Sequence, residues 1–305
     1  MNEIQKNLLK EVAELDALPV GAYNIRSDSK SIARNTTANI DIISKTDKSG
    51  IDIKFKKGTK KESVHIPVII AESGLKECVY NDFFIEDDCD VTIIAVCGIS
   101  NCGNGDSQHD GIHTFFVGKN CTVRYIEKHY GEGTGRGKRV MNPQTIVHLG
   151  ENSYMELETA QIAGVDDTKR ITTADLKEGA SLVIHDKIMT TDDQYAYAEI
   201  MVDLDGDGSN CDIISRGVAK NQSRQEIQLG INGKAACKGH ADGDSIIMDD
   251  AKILAIPQLN AENVEASLVH EAAIGKIAGE QLLKLMTLGL SEAEAEERIV
   301  QGFLK

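Results

Sequence analysis

One pattern recurs along most of this chain: an apolar residue, a small residue four places on, and a second apolar residue two places after that. Ile85, Cys89 and Val91 carry it first, followed by Val117, Cys121 and Val123, then Leu149, Ser153 and Met155, then Leu176, Ala180 and Leu182. Ile231, Ala235 and Cys237 fit it again, as do Ile247, Ala251 and Ile253. The gap is filled by turn residues, as in IEDDC, VGKNC, LGENS and LKEGA. The first four copies start 32, 32 and 27 residues apart; Leu204 falls 28 later and Ile231 another 27 on. Each unit reads as a short strand, a tight Gly, Asn or Asp turn, and another short strand. Such a unit cannot bury its apolar face alone, whereas stacked copies share one continuous core. The spacing therefore predicts a mainly β protein built as a parallel β-helix or related solenoid. The alternative is a sandwich or barrel of evenly spaced hairpins.

Composition fits a long aliphatic core. The 305 residues include no tryptophan and only 4 % aromatics, so aliphatic side chains must fill the interior. A net charge of -15 opposes a nucleic-acid-binding surface, which needs a basic stripe. No apolar run is long enough to span a membrane. The opening MNEIQKNLLKEVAEL lacks the unbroken apolar region of a signal peptide. Seven cysteines, odd in number and unevenly spaced, suit free thiols in a reducing compartment, and a cytoplasmic location is expected.

The ends break the repeat. Ile4, Leu8, Leu9, Val12 and Leu15 predict an amphipathic helix over residues 2–17. Residues 36–71 alternate like strands. From Ala272 the pattern turns helical, Gly289 stops it, and Ser291 with Glu294 forms a capping box that starts a second helix. The expected division is an N-terminal helical segment over 1–35, a β-helix core over 36–270 and a C-terminal helical pair over 271–305, which would cover the solenoid's open end.

Several motifs fail. DLDGDG, from Asp203 to Gly208, opens like a calcium loop, but Ile214 stands where the bidentate glutamate belongs. GEGTGRGKR, from Gly131 to Arg139, has Glu132 where a phosphate loop needs its first glycine and reads as a flexible basic loop. Two constellations remain. Cys89, Cys97, Cys102, His109 and His113 offer thiols and imidazoles suited to a soft metal, though at no standard zinc spacing. Cys237, His240, His270 and Glu271 are the second; on the repeat alone, Cys237 is core filler and His240 sits near a corner.

A family resemblance brings the second group forward. HDGIHTFFVGKNCTVRYIEKHYGEGTGRGKRVMNP, ETAQIAGVDDTKR, VDLDGDGSNCDIISRGVAKNQS and VHEAAIGKIAGEQLLKLMTLGLSEAEAEERIVQGFL resemble, in order, the core of the SufB/SufD family over about residues 80–305. These are scaffold proteins of SUF iron–sulfur cluster assembly. The resemblance implies a right-handed β-helix with C-terminal helices, pairing of two such subunits, and docking of a SufC-type ATPase through the C-terminal helices. It also implies a non-enzymatic role, in which the partner hydrolyses ATP while a nascent cluster is built from iron and persulfide sulfur. In SufB proteins a Cys-Asp-Ser motif precedes a His-Glu pair. Here His270 and Glu271 are present, but Gly243 stands in the cysteine position before Asp244 and Ser245.

Glycine has no ligand atom. An iron–sulfur cluster on this chain would therefore need His270, Glu271, and Cys237 or His240. Otherwise the chain is a SufD-like or regulatory partner that binds no cluster. A β-helix enzyme acting on acidic polysaccharide is a third class, opposed by the negative charge. A homodimer or heterodimer with a SufB/SufD homologue is expected near residues 230–270, where an open solenoid edge invites pairing.

Overall fold

The computed structural model describes residues 19–305, so the helix expected over residues 2–17 lies outside the described residues. Two ten-stranded sheets face each other across one core. The first sheet starts with a hairpin, β1 (Ala22–Ser27) and β2 (Lys30–Asn35). It continues through β5 (Lys60–Ile70), β7 (Asp90–Ser100), β9 (Thr122–Glu132), β12 (Tyr154–Ala163), β14 (Ser181–Thr190), β16 (Asn210–Ala219), β18 (Lys238–Ile247) and β20 (Ser267–Gly275). The second starts with β3 (Ile40–Ser44) and β4 (Gly50–Phe55), followed by β6 (Lys76–Ile85) and β8 (Ser107–Val117). Next come β10 (Arg139–Met141) and β11 (Gln144–Leu149), which share one rung, then β13 (Asp167–Leu176), β15 (Tyr195–Leu204), β17 (Arg224–Gly233) and β19 (Lys252–Ala261). The chain alternates between the sheets, and every pairing beyond the two opening hairpins is parallel. This is a β-solenoid. The hairpin strands β1 and β2 occupy part of the segment expected to be helical.

The repeat is the register of the coil. Ile85, Val117, Leu149, Leu176 and Leu204 pair in sequence along the second sheet. Val91, Val123, Met155 and Leu182 do the same along the first, and Cys211 extends that file. Leu149, Met155, Leu176 and Leu182 are all completely buried. Between the two files, the corner requires one residue in the left-handed region. Asp88 (φ 63°), Asn120 (54°) and Asn152 (55°) supply it, then Gly179 and Gly208. Asn and Asp tolerate that conformation because their side chains bond locally, and glycine because it has no Cβ.

Two copies of the repeat were misplaced by the sequence pattern. Leu204 pairs with Gly233, and Ile231 with Val202, so the copy starting at Ile231 is slipped by two positions. Cys211 pairs with Gly239. Cys237 therefore takes the small corner position immediately before β18, as Cys89 does before β7, rather than the apolar strand position. The copy Ile247, Ala251, Ile253 belongs to the opposite corner, in register with Ala219, Ser223 and Gln225. Both corners demand an apolar residue, a tight turn and a small residue, so one template matches either.

The GEGTGRGKR segment is a stacked turn and not a loose loop. A Cβ on Gly135 would lie 2.3 Å from the Gly103 carbonyl oxygen, and one on Gly137 would lie 2.1 Å from that of Gly105. The glycines let this turn rest directly on the turn of the previous coil.

The two ends differ. Antiparallel β2 and β3 cover the first coil, which blunts its edges. At the other end β20 runs on to Gly275, and the helices begin only at α1 (Gly279–Thr287) and α2 (Glu292–Phe303), with the Ser291–Glu294 capping box formed. The pair does not cover the open end. Val300 and Leu304 of α2 pack against Val218 and Met248 at the side of the solenoid. In-facing Leu259 of β19 and Ile274 of β20 remain 41 % and 45 % exposed because no further coil covers them.

Candidate functional site

Strand parity divides the four residues Cys237, His240, His270 and Glu271. Successive strand residues face opposite sides of a sheet. Along β18, Gly239, Ala241, Gly243 and Ser245 are buried and face the interior, while His240, Asp242 and Asp244 face out. Ala241 pairs with His270 and Asp242 with Glu271, so His270 faces in and Glu271 faces out. Cys237 is buried at its corner, and burial pushes its thiol up from the ordinary range. The structure thus brings together only His240 and Glu271. His270 lies on the other side of the sheet, and its Nε2 is buried without a partner.

His240 is fixed through one ring nitrogen, which leaves the other facing Glu271. Its Nδ1 lies 2.8 Å from Asp212 Oδ1, and its Nε2 lies 3.8 Å from Glu271 Oε2. The Asp212 carboxylate raises the His240 pKa, so a metal binding at Nε2 must displace a proton. Asp212 was not picked out from the sequence; it sits on the neighbouring strand, directly paired with His240. Asp242 and Asp244 are occupied by Arg216, at 2.7 and 3.6 Å. Beside His240, an open pocket of about 690 Å³ is lined by Cys211, Cys237, Lys238, Glu265, Ser267 and Val269. Among the described residues, no three His, Cys, Asp or Glu side chains are arranged to hold a metal ion. His240 and Glu271 are the two of the four candidates that lie together on the outer face.

The other constellation also divides. Cys89 is a buried corner residue whose thiol reaches the Lys56 carbonyl at 3.3 Å. Cys102 is exposed in an outer turn. Cys97, His109 and His113 face the interior, where Glu77, Glu127 and His129 join them. Glu77 pairs with His109, Asn81 with His113, and Cys97 with His129 on adjacent strands. Glu77 Oε1 lies 2.9 Å from His109 Nδ1, and Cys97 lines the same small cavity as that ring. Burial works against charge on His109, but Cys97 and Glu77 outweigh it and hold the imidazole at about 10. His113 goes the other way. Burial, with His109 and His129 nearby, pushes it down to about 4 despite Glu127. Glu127 sits at about 2, because His129, His113 and Arg170 overcome its burial. Cys97, His109, His113, Glu127 and His129 line a cavity of about 20 Å³, room for about one water. The sequence signal for this cluster was present: polar residues at the in-facing parity of successive coils.

Comparisons with known proteins place the chain. Residues 77–303 match the family described as SUF system FeS cluster assembly, SufBD core domain. The chain belongs to the SufBD family. An iron–sulfur cluster assembly SufBD family protein of Methanocaldococcus jannaschii is 30 % identical over 83 % of this chain and 79 % of its own length. Another from Archaeoglobus fulgidus is 28 % identical over 85 % of this chain and 69 % of its own. One from Methanothermobacter thermautotrophicus is 26 % identical over 84 % and 62 %. A SufBD family protein takes part in iron–sulfur cluster assembly. No helix among the described residues is long and apolar enough to cross a membrane.

Proposed function

We propose that this chain is a non-enzymatic scaffold subunit of SUF assembly, on which a transient iron–sulfur cluster is built as cargo between two SufBD subunits. The observation that carries this is the half-site: His240 Nε2 and Glu271 Oε2 on the last two strands of the first sheet, beside uncovered edges. A partner solenoid laid against that end, a second copy or a SufB/SufD homologue, would cover Leu259 and Ile274 and supply the missing ligands. An imidazole and a carboxylate hold iron less firmly than four thiolates, which suits cargo that must leave. On this reading the coil is right-handed, the sense that parallel crossovers almost always take. A SufC-type ATPase has a dock in α1, which buries none of its residues and leaves Leu283 62 % and Met286 40 % exposed.

Anaerobic reconstitution with iron and sulfide tests the scaffold reading. The parent takes up cluster, His240→Ala and Glu271→Ala lose it, and Cys237→Ala and His270→Ala retain it. Uptake unaffected by His240→Ala and Glu271→Ala would remove the half-site. A parent that takes up none, alone or with a SufB homologue, would favour the second reading: a SufD-like partner without cargo, to which Gly243 already points.

A further inference from the structure

Two asparagines in this chain are followed by glycine, Asn104 and Asn232. Such a side chain is open to attack by the next backbone nitrogen, because glycine has no Cβ to obstruct the approach and reaches the conformations that ring closure needs. The fold treats the two differently. Asn232 lies on β17, and Gly233 beside it is buried and paired in register with Leu204 on one side and Ala261 on the other. The Gly233 carbonyl accepts from the Glu262 N–H at 2.8 Å, and Asn232 Nδ2 donates to Asp203 Oδ1 at 2.7 Å. Asn104 and Gly105 are exposed in the turn between β7 and β8. Among the described residues, neither the Asn104 side chain nor the Gly105 N–H has a hydrogen-bond partner. The turn around them is nevertheless well tied: the Gly105 carbonyl accepts from Asn101 Nδ2 at 2.9 Å, and the Lys138 N–H donates to Asp106 Oδ1 at 2.8 Å.

We propose that Asn104 is a site of spontaneous deamidation in the folded protein, and that the product loosens the stacked turns. The Gly105 nitrogen attacks Asn104 Cγ and a C–N bond forms. The side-chain Nδ2 leaves as ammonia, taking the proton from the Gly105 nitrogen. Water then opens the succinimide at either carbonyl. One opening gives aspartate; the other gives isoaspartate, whose backbone runs through the former side chain and is one methylene longer. The stack has no room for that extra length. A Cβ on Gly137 would lie 2.1 Å from the Gly105 carbonyl oxygen, and the Gly137 N–H donates to the Gly103 carbonyl at 3.0 Å. Strand β8, in register with both neighbouring coils, begins at Ser107 just beyond the turn.

The test ages the full chain in mildly alkaline buffer and follows both asparagines by peptide mass spectrometry, with isoaspartate distinguished by electron-transfer fragmentation. Asn104 should convert at least about tenfold faster than Asn232. Tenfold needs only about 1.4 kcal/mol of protection, and Asn232 must first break several hydrogen bonds. In urea the two rates should draw together, because the fold sets the difference. Gly105→Ala, whose Cβ would meet Gly74 at an ordinary 3.4 Å, should slow Asn104 and leave Asn232 as it is. The aged parent should melt below the fresh parent, whereas Asn104→Asp, with the charge but the normal backbone, should melt close to it. Folded Asn104 that stays intact while the urea-unfolded chain converts would overturn the site, as would Asn232 converting equally fast. A ratio that persists undiminished in urea would overturn the role of the fold, and an aged parent that melts like the fresh one would overturn the loosening of the turns.

Discussion

Leu176 tests the solenoid most directly. It is completely buried at the end of β13, with Leu149 and Leu204 stacked one coil to either side. Leu→Ala at a buried site costs about 2–5 kcal/mol, and the cost grows with the cavity left behind. Leu176 belongs in the upper part of that range, at about 3–5 kcal/mol, because its neighbours cannot close in. Their backbones are held by parallel ladders at a spacing of roughly 4.8 Å, so the void is fixed by hydrogen bonds above and below. Leu259 has the same in-facing parity but is 41 % exposed at the open end, so Leu259→Ala should cost under about 1 kcal/mol in the monomer. Urea unfolding followed by circular dichroism, with a second probe at the C-terminal end, measures both, since a repeat protein can lose its end coils first. Equal costs at the two positions, or a cost at Leu176 below about 1 kcal/mol, would refute the stacked-coil account.

Other outcomes follow from the interior charges and the open edge. His109, held near 10 against an ordinary 6.5, binds its proton more tightly when folded, so its stabilisation is complete below pH 6.5 and disappears as pH rises through 10. His113, pushed from 6.5 to about 4, prefers its neutral form when folded, so its contribution is lost as pH falls from 6.5 towards 4. Melting temperatures should therefore peak near neutral pH; His109→Gln should flatten the alkaline side, and an unchanged alkaline slope would contradict the charged His109. Ile256→Arg, at an exposed position on β19, should turn any dimer into monomer in light scattering without lowering the monomer's melting temperature. Gly135→Val should destabilise strongly, because its Cβ would meet the Gly103 carbonyl, whereas Gly302→Ala, with open space around it, should change the melting temperature little.

Much of the architecture was legible because the repeat is a steric requirement. Every coil needs an apolar residue entering the corner, a left-handed turn position, and a small residue leaving it. That rule located Ile85 to Leu204 in correct register. It failed at Cys237, where the copy starting at Ile231 is slipped by two positions, and at Ala251, because the opposite corner obeys the same rule and only strand pairing tells the two apart. The hairpin of β1 and β2 was less legible: residues 22–35 lack a sustained alternation, and their strands are set by pairing with each other and with β5. The helices were readable as helices, but where they pack depends on Val218 and Met248, far away in sequence. The interior cluster was half visible. His109, His113 and Cys97 stood out as metal-binding types, yet Glu77 and Glu127 looked like ordinary charges among many until the coil turned them inward.

The same parity accounts for the stretch around Gly243. Read along the chain, Gly243, Asp244, Ser245, His270 and Glu271 look like one ligand set. In the coil they form two, because neighbouring residues on a strand face opposite sides of a sheet. Gly243, Ser245 and His270 line a small internal space with Leu229, while His240, Asp244 and Glu271 face outward. A Cβ at Gly243 would sit 3.2 Å from the Leu229 Cδ1, so a cysteine there would enter the interior beside His270 and crowd that leucine slightly. It would add nothing to His240 and Glu271 on the other side. A side chain at position 243 therefore bears on the interior space and not on the outer pair. The two faces are separable: Gly243→Cys should bring a thiol near the unpartnered His270 Nε2, while leaving the outer His240–Asp212 contact as it is.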